Sequence, residues 1–378
     1  MTSTSSSFSA ADYAWMQHAL ALAVRGQFIT PPNPCVGCVL VRDGVVVGEG
    51  HSQPTGHAHA EVMAMRMAGE QARGATAYVT LEPCSHFGRT PPCADGLIAA
   101  GVARVVVALR DPNPLVAGQG LARLRAAGVE VAHGLLAAQA AEHHRGFLSR
   151  MLRQRPWLRL KLATSLDGRT ALANGESQWI TGAAARADVQ RLRARSSAML
   201  TGIGTVLADD AQLTVRDPQI GDIGRQPLRV VLDSQLRMPT QARILQTPGV
   251  LVVCATPDEH RAAALRDAGA EILYLPAANG QVDIPAVLAE LGRRGANEVT
   301  AEAGALLNGA LLASGLVDEV VWYQAPVIIG EPGLGAAVLD LPALAQKLAP
   351  RVHARRMVGD DLRLDLRFTD PALFVTEE

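Results

Sequence analysis

Apolar positions Tyr13, Met16, Leu20 and Val24 recur every three or four residues, the spacing of one helical face, so a helix is predicted over 12–24. Pro31, Pro32 and Pro34 then force extended chain. Valine-rich runs at 36–41 and 45–48 are joined by Asp43-Gly44, a strong hairpin signal. Further on, the pattern predicts a helix over 59–72, a strand over 75–81, a short helix over 94–100 and a buried strand over 103–109. A helix over 121–127 ends at Gly128. A hairpin followed by helix, strand, helix, strand, helix gives a compact α/β layer domain with a partly parallel sheet.

Residues 137–154 read as a polar helical connector, and Arg155-Pro156 marks a boundary. A second alternation follows, with strands over 157–163, 198–201, 228–233, 250–254, 271–275 and 298–301. Helices over 183–194, 260–268, 284–293 and 305–314 lie between them. Segments 317–324 and 362–368 close the pattern as strands, the latter alternating Leu362, Leu364 and Leu366 with charged residues. The chain thus divides into a disordered tail (1–11), a first domain (12–150) and a second α/β domain (156–378).

At 378 residues, two domains are the natural count, and an apolar fraction of 48% suffices for two cores. The formal net charge is -1, which argues against a face that grips nucleic acid through phosphates. Five cysteines are too few, and odd in number, for a disulfide scaffold, and read as thiols of a reducing cytoplasm. The Ser/Thr-rich start lacks the features of a signal peptide, and no apolar stretch reaches the roughly 20 residues of a membrane span. Lys161 and Lys347 are the only lysines in an arginine-dominated chain.

The sharpest chemical signal is His59-Ala60-Glu61 opening a helix, then Glu82-Pro83-Cys84, then Cys93. One imidazole and two thiolates suit zinc with an open position for water. Cys84 and Cys93 are both expected at or near helix starts, where amide groups favour thiolate. Glu61 is the candidate proton carrier beside the metal. The order His-x-Glu, Pro-Cys, Cys is the zinc-deaminase pattern, although nucleobase deaminases usually place two residues between the cysteines and here there are eight. A structural zinc would want a fourth ligand, for which His57 and His86 are at hand. Cys35 and Cys38 read as packing residues.

The second domain lacks a Gly-x-Gly-x-x-Gly fingerprint. Thr201 to Thr205 and Glu302-Ala303-Gly304-Ala305 each join a strand to a helix, where amide groups can approach a phosphate. Arg193 and Arg216 are candidate phosphate clamps. Lys161, inside the apolar strand Leu160-Lys161-Leu162, hints at a site needing a compact ammonium. Trp179 offers a wall for a planar ring.

Taken together, Asn33-Pro34-x-Val36-Gly37-Cys38, His59-Ala60-Glu61, Leu81 to His86 and Thr90 to Cys93 resemble the deaminase half of the bifunctional riboflavin-biosynthesis deaminase–reductase family. The eight-residue cysteine spacing belongs to that family's pattern. Lys161 to Arg169, Gly175 to Gly182, Gly204 to Asp210, Leu213 to Arg216, Val231 to Ser234 and Leu307 to Gly309 resemble its reductase half.

The resemblance implies a cytidine-deaminase-like three-layer domain followed by a dihydrofolate-reductase-like domain. It implies a soluble homo-oligomer, dimer or tetramer, without nucleic-acid or membrane partners. The substrate would be 2,5-diamino-6-ribosylamino-4(3H)-pyrimidinone 5′-phosphate, a small pyrimidine ribosyl phosphate. Zinc hydroxide would replace its 2-amino group by oxygen, with Glu61 passing the proton to the departing nitrogen and Asn33 holding the ring. NADPH would then reduce the ribosyl group to ribityl, with Lys161 near the reacting sugar. The same resemblance implies cofactor contacts from Ala163, Trp179, Thr205, Asp209 and Ser234, and from the run Gly304, Ala305, Leu306, Leu307, Asn308, Gly309 and Ala310. It implies substrate contacts from Ser177, Arg193, Leu213, Arg216 and Glu302, the two arginines suiting the 5′-phosphate. Ala303 departs from a common glycine and Ala211 from a frequent proline.

Overall fold

The structure, a computed structural model, describes residues 8–85, 91–113 and 116–375. Residues 1–7 of the expected tail and His86 lie outside the described residues. The chain separates into two units, Met1–Arg153 with Pro371–Glu378, and Gln154–Asp370. Residues 371–375 therefore pack with the first unit, not with the second as the sequence pattern predicts.

The first unit runs α1 (Ala10–Val24), β1 (Gly37–Arg42), β2 (Val45–His51), α2 (Ala60–Ala68), β3 (Thr76–Val79), α3 (Cys93–Ala99), β4 (Arg104–Val107), α4 (Gln119–Ala126), β5 (Glu130–His133) and α5 (Ala137–Arg153). The helix α1 begins inside the expected tail. Ser9 caps it through a capping box with Asp12, and that pair fixes the start. The sheet order is β2-β1-β3-β4-β5, antiparallel around β1 and parallel from β3 to β5.

Alternation along β1 builds the layers. Val39 and Val41 join Met16, Leu20, Phe147 and Leu148 of α1 and α5 on one face. Cys38 and Leu40 join Ala60, Ala64, Leu97 and Leu124 of α2, α3 and α4 on the other. The result is a three-layer sandwich in which Cys38 is indeed a packing residue. Each fully buried leucine contributes about 1.5–3 kcal/mol.

The second unit runs β6 (Trp157–Thr164), β7 (Arg169–Ala171), α6 (Ala183–Arg195), β8 (Ala198–Gly202), α7 (Ile203–Asp209), β9 (Leu228–Leu232), β10 (Val250–Cys254), α8 (Glu259–Asp267) and β11 (Ala270–Tyr274). It continues with α9 (Ile284–Arg293), β12 (Glu298–Ala301), α10 (Ala305–Ala313), β13 (Glu319–Gln324), β14 (Leu334–Gly335), β15 (Arg351–Val358) and β16 (Asp361–Arg367). One sheet has the order β11-β10-β9-β8-β12-β6-β13-β16-β15, with β14 pairing separately on β7. It is parallel from β11 to β13 and antiparallel through β16 and β15.

Leu158, Leu200, Val230 and Leu251 pack on α9 and α10, while Met199, Val231 and Val252 pack on α7 and α8. Near-continuous apolar strands are what a sheet covered on both faces requires. Arg159 interrupts that rule: it is fully buried and donates to Glu298 (2.6 Å), Glu319 (3.0 Å) and Thr300 (3.1 Å) on neighbouring strands. The parallel strands β6, β8, β9 and β12 all run the same way, so the loops at their carboxyl ends share one edge. Such an edge is where open α/β sheets bind ligands.

Candidate active sites

In the first unit, His59 is the N-cap residue of α2 and Glu61 lies in its first turn. Cys93 opens α3, at the end of the spacer. Cys84 is not at a helix start, contrary to the sequence reading; it sits in the loop after β3. Its hydrogen-bond donor is instead the Cys93 backbone N–H, 3.3 Å from the Cys84 Sγ. His59 Nδ1 lies 3.6 Å from Cys84 Sγ and 3.3 Å from Cys93 Sγ, and the three atoms fall within 4.8 Å of one another.

That spread and that donor set fit a single tetrahedral zinc, whose ligands sit at about 2.0–2.3 Å. Among the described residues the group comprises these three. His57 lines the neighbouring cavity without joining the group.

The electrostatics of the group favour a thiolate at Cys84. The Cys93 thiol hydrogen bond, with His59 and the Cys93 amide, pulls Cys84 down to about 4 against its burial. The Cys84 hydrogen bond and burial push the Cys93 thiol up. The Cys84 contact raises His59. Glu61 is buried, and that burial, with the charge of Cys84, pushes its carboxyl up to about 7. A carboxyl poised near neutrality is suited to moving protons.

A cavity of about 470 Å³ opens beside this group and is lined by His59, Glu61, Cys84 and Asn33. The structure also brings Asp111 and Asn113 to its wall, together with Arg150 and Met151 of α5. Burial raises the Asp111 carboxyl to about 7. None of these four stood out in the sequence. The available signal was topological: Asp111 and Asn113 follow β4, which runs parallel to β3, so both loops emerge on one edge.

In the second unit, Glu302 follows β12 and meets Arg193 of α6 in a bidentate pair. Arg193 also donates to the Thr214 carbonyl (3.2 Å). The fork expected to clamp a phosphate is therefore already engaged. Burial raises Glu302, but Arg193, Lys161 and Arg216 outweigh it and hold the carboxyl at about 2. Burial pulls Lys161 down, opposed by Glu302. These four side chains thus form one electrostatic group. Arg216 is exposed, with its guanidinium on Gln212 (2.6 Å).

The remaining sequence-predicted residues distribute as follows. Ala163 lies on β6 two residues beyond Lys161, and Ser177 and Trp179 lie on the loop before α6. Trp179 is 70% exposed, with the Arg186 guanidinium 4.6 Å from its ring centre. Thr205 and Asp209 belong to α7, and Leu213 is buried in left-handed backbone (φ 54°). Ser234, after β9, contacts Gln281 at 3.1 Å. Gly304 is the N-cap of α10, and Ala305, Leu306, Leu307 and Ala310 lie on that helix. Asn308 and Gly309 face inward: the Asn308 amide donates to the carbonyls of Ala303 (3.1 Å) and Ala336 (2.8 Å).

Comparison with known proteins gives one answer for both units. Residues 9–109 match the family described as the cytidine and deoxycytidylate deaminase zinc-binding region, and residues 156–355 match the RibD C-terminal domain. The riboflavin biosynthesis protein RibD of Escherichia coli (strain K12) is 50% identical over 365 residues, covering 94% of this chain and 99% of that protein. The protein of the same description from Aquifex aeolicus (strain VF5) is 40% identical over 352 residues, with 93% and 97% covered. Among solved structures, Acinetobacter baumannii RibD superimposes with a TM-score of 0.87 at 46% identity, covering 94% of this chain and 98% of that one. A diaminohydroxyphosphoribosylaminopyrimidine deaminase/5-amino-6-(5-phosphoribosylamino)uracil reductase from Thermotoga maritima gives 0.83 at 32% identity, with 94% and 98% covered.

Proposed function

This chain belongs to the RibD family of riboflavin-biosynthesis proteins, and from that premise we propose the division of labour between its two sites. The first unit deaminates 2,5-diamino-6-ribosylamino-4(3H)-pyrimidinone 5′-phosphate. The second reduces the ribosyl group of the product to ribityl, giving 5-amino-6-ribitylamino-uracil 5′-phosphate. The observation that carries the first half is the convergence of the His59, Cys84 and Cys93 ligand atoms within 4.8 Å beside a buried glutamate.

In this reading His59, Cys84 and Cys93 hold zinc. Zinc bound there would lower the pKa of a water it holds toward neutrality. Glu61 takes a proton on its carboxylate and returns it to the departing amine, a task suited to a group held near 7. Asn33, on the cavity wall, orients the pyrimidine through its side-chain amide. The cavity's volume of about 470 Å³ accommodates one such small molecule.

In the second unit NADPH, when bound, would supply the hydride. Gly304, Ala305, Leu306 and Leu307 bring the amino end of α10 to its phosphates, where amide groups favour an anion. Ala163, Trp179, Thr205, Asp209 and Ser234 complete the cofactor contacts. Asn308 serves by holding the loop around Ala303, Gly309 lets the Val338 segment approach the helix, and Ala310 lies beyond the helix's first turn. Arg216, with Ser177 and Leu213, takes the substrate phosphate and sugar. Arg193 and Glu302 hold each other and orient the Lys161 ammonium toward the reacting ribose.

No described helix is long and apolar enough to cross a membrane. We place the enzyme in the cytoplasm as a homo-oligomer, dimer or tetramer. Its five cysteines, none of them in a disulfide, suit a reducing compartment. The direct test is to incubate the purified protein with the diaminopyrimidine phosphate, with and without NADPH, and weigh the products. Loss of one amino group without NADPH, and gain of two hydrogens only with it, is the expected pair. An unchanged substrate mass with zinc bound overturns the deaminase assignment.

A further inference from the structure

We propose that Glu82 is a positioning residue of the deamination centre, locking the loop that carries Cys84 onto the amino end of α4. The inference rests on the deaminase reading above. Glu82 is 4% exposed, and both oxygens of its carboxylate are engaged by backbone amides. Oε1 accepts from Gly120 (2.9 Å) and Leu121 (3.2 Å), and Oε2 accepts from Gly118 (2.9 Å) and Asp111 (3.2 Å). Gly118, the N-cap residue of α4, has no side chain to cap its own helix. A glutamate from a distant segment does that work, where the exposed amides and the helix dipole favour a negative charge.

The lock is tight on its other side as well. A Cβ on Gly120 would lie 2.1 Å from the Pro83 carbonyl oxygen, so the residue between Glu82 and Cys84 rests directly on the helix backbone. The same carboxylate holds the amide of Asp111, which lines the cavity. Cys84 and the Asp111 wall are thereby fixed to one anchor. All four partners are N–H donors, so both oxygens of the side chain must accept. A glutamine there would turn its NH2 toward N–H groups and break at least one pair of bonds.

The test is Glu82→Gln, read by three signals. With cobalt replacing zinc, the sulfur-to-cobalt absorption bands shift or broaden because Cys84 is no longer held. The kcat of deamination falls about 10–100-fold, the range for groups that orient metal ligands. NADPH oxidation by the second unit continues at the wild-type rate, marking a folded chain. Wild-type bands and wild-type kcat in a folded Glu82→Gln protein overturn the proposal.

A second measurement needs no variant. Coupling between sites is reciprocal, so removing the metal must loosen what Glu82 holds. Chelation is expected to speed hydrogen exchange of the Asp111, Gly118, Gly120 and Leu121 amides about tenfold. The Ala286 amide, capped by Asp283 in the second unit, stays unchanged. Unaltered exchange at those four amides overturns the lock. Wild-type protein that releases no ammonia would instead remove the deaminase reading, while the cobalt bands and amide exchange would still decide the role of Glu82.

Discussion

Arg193 and Glu302 are joined through two parallel bonds, Nε to Oε1 at 2.7 Å and Nη2 to Oε2 at 2.9 Å, with only 11% and 13% of their side chains exposed. Breaking such a pair strands a buried charge, which costs about 3–5 kcal/mol. Glu302→Gln should therefore destabilise the second unit by that order and lower reductase turnover about 10²-fold or more. Deamination should be untouched. The carboxyl is held at about 2, below its ordinary value of 4.5. Its stabilising charge is complete above the ordinary value and is lost as the pH falls toward 2. The stability gap between wild type and variant should close across that window. A constant gap in urea midpoints would show that the charge of Glu302 is not what matters.

Glu61→Gln preserves shape but cannot carry a proton. Ammonia release should drop by about 10²–10⁴. Zinc content, and NADPH oxidation with the deaminated ribosylamino substrate, should stay at wild-type levels. A variant that deaminates near the wild-type rate removes Glu61 from the proton path.

What could be read from the sequence was local. His59, Glu61, Cys84 and Cys93 announce themselves because the chemistry fixes residue types within short spacings. The alternation of Leu362, Leu364 and Leu366 with charged residues in β16 is likewise visible, because a period of two residues needs no knowledge of the rest of the fold. Strand β5 escaped notice: it has four residues at a sheet edge, with charged or polar ends. Strand β15 escaped because it is exposed almost throughout, so it carries no pattern of burial. Arg159 in β6 carries no signal of its own in the sequence, because its partners Glu298 and Glu319 lie on strands far along the chain. Asp111 and Asn113 are a similar case. Their place beside the metal group depends on β3 and β4 running in parallel, which no spacing in the sequence encodes.

His144 of α5 is only 2% exposed, and that burial, with His143 nearby, depresses it to about 3. The folded state therefore keeps the ring neutral while the unfolded chain binds a proton below its ordinary 6.5. Stability should fall as the pH drops from that value toward 3, by up to about 1.4 kcal/mol per pH unit from this group. His144→Gln removes the titration and should show a shallower loss. Urea midpoints at several acidic pH values measure this. Zinc loss through His59 is common to both proteins and cancels in the comparison. Parallel curves would mean that His144 is not protonated on unfolding.

Gly309 sits where α10 meets the segment that follows β14. A Cβ there would lie 1.8 Å from the Val338 carbonyl oxygen and 2.7 Å from its carbon, and both are backbone atoms that no rotamer can clear. That segment is also held by the Val338 amide on the Ala305 carbonyl (2.9 Å) and by the Asn308 side chain on Ala336 (2.8 Å). Gly309→Ala must therefore push the segment off the helix. Overpacking of this kind costs about 1–3 kcal/mol, or roughly 2–4 °C of melting temperature per kcal/mol in a unit of this size. Because Ala305 heads the helix assigned to NADPH, the KM for NADPH should rise with it, while deamination on the same chain continues. Gly304→Ala supplies the contrast. Its Cβ would meet nothing within 4 Å, and its φ of -78° suits any residue, so the melting temperature should hold. Equal melting temperatures for the two variants would show that the Val338 contact yields freely and that the glycine at 309 serves some other need.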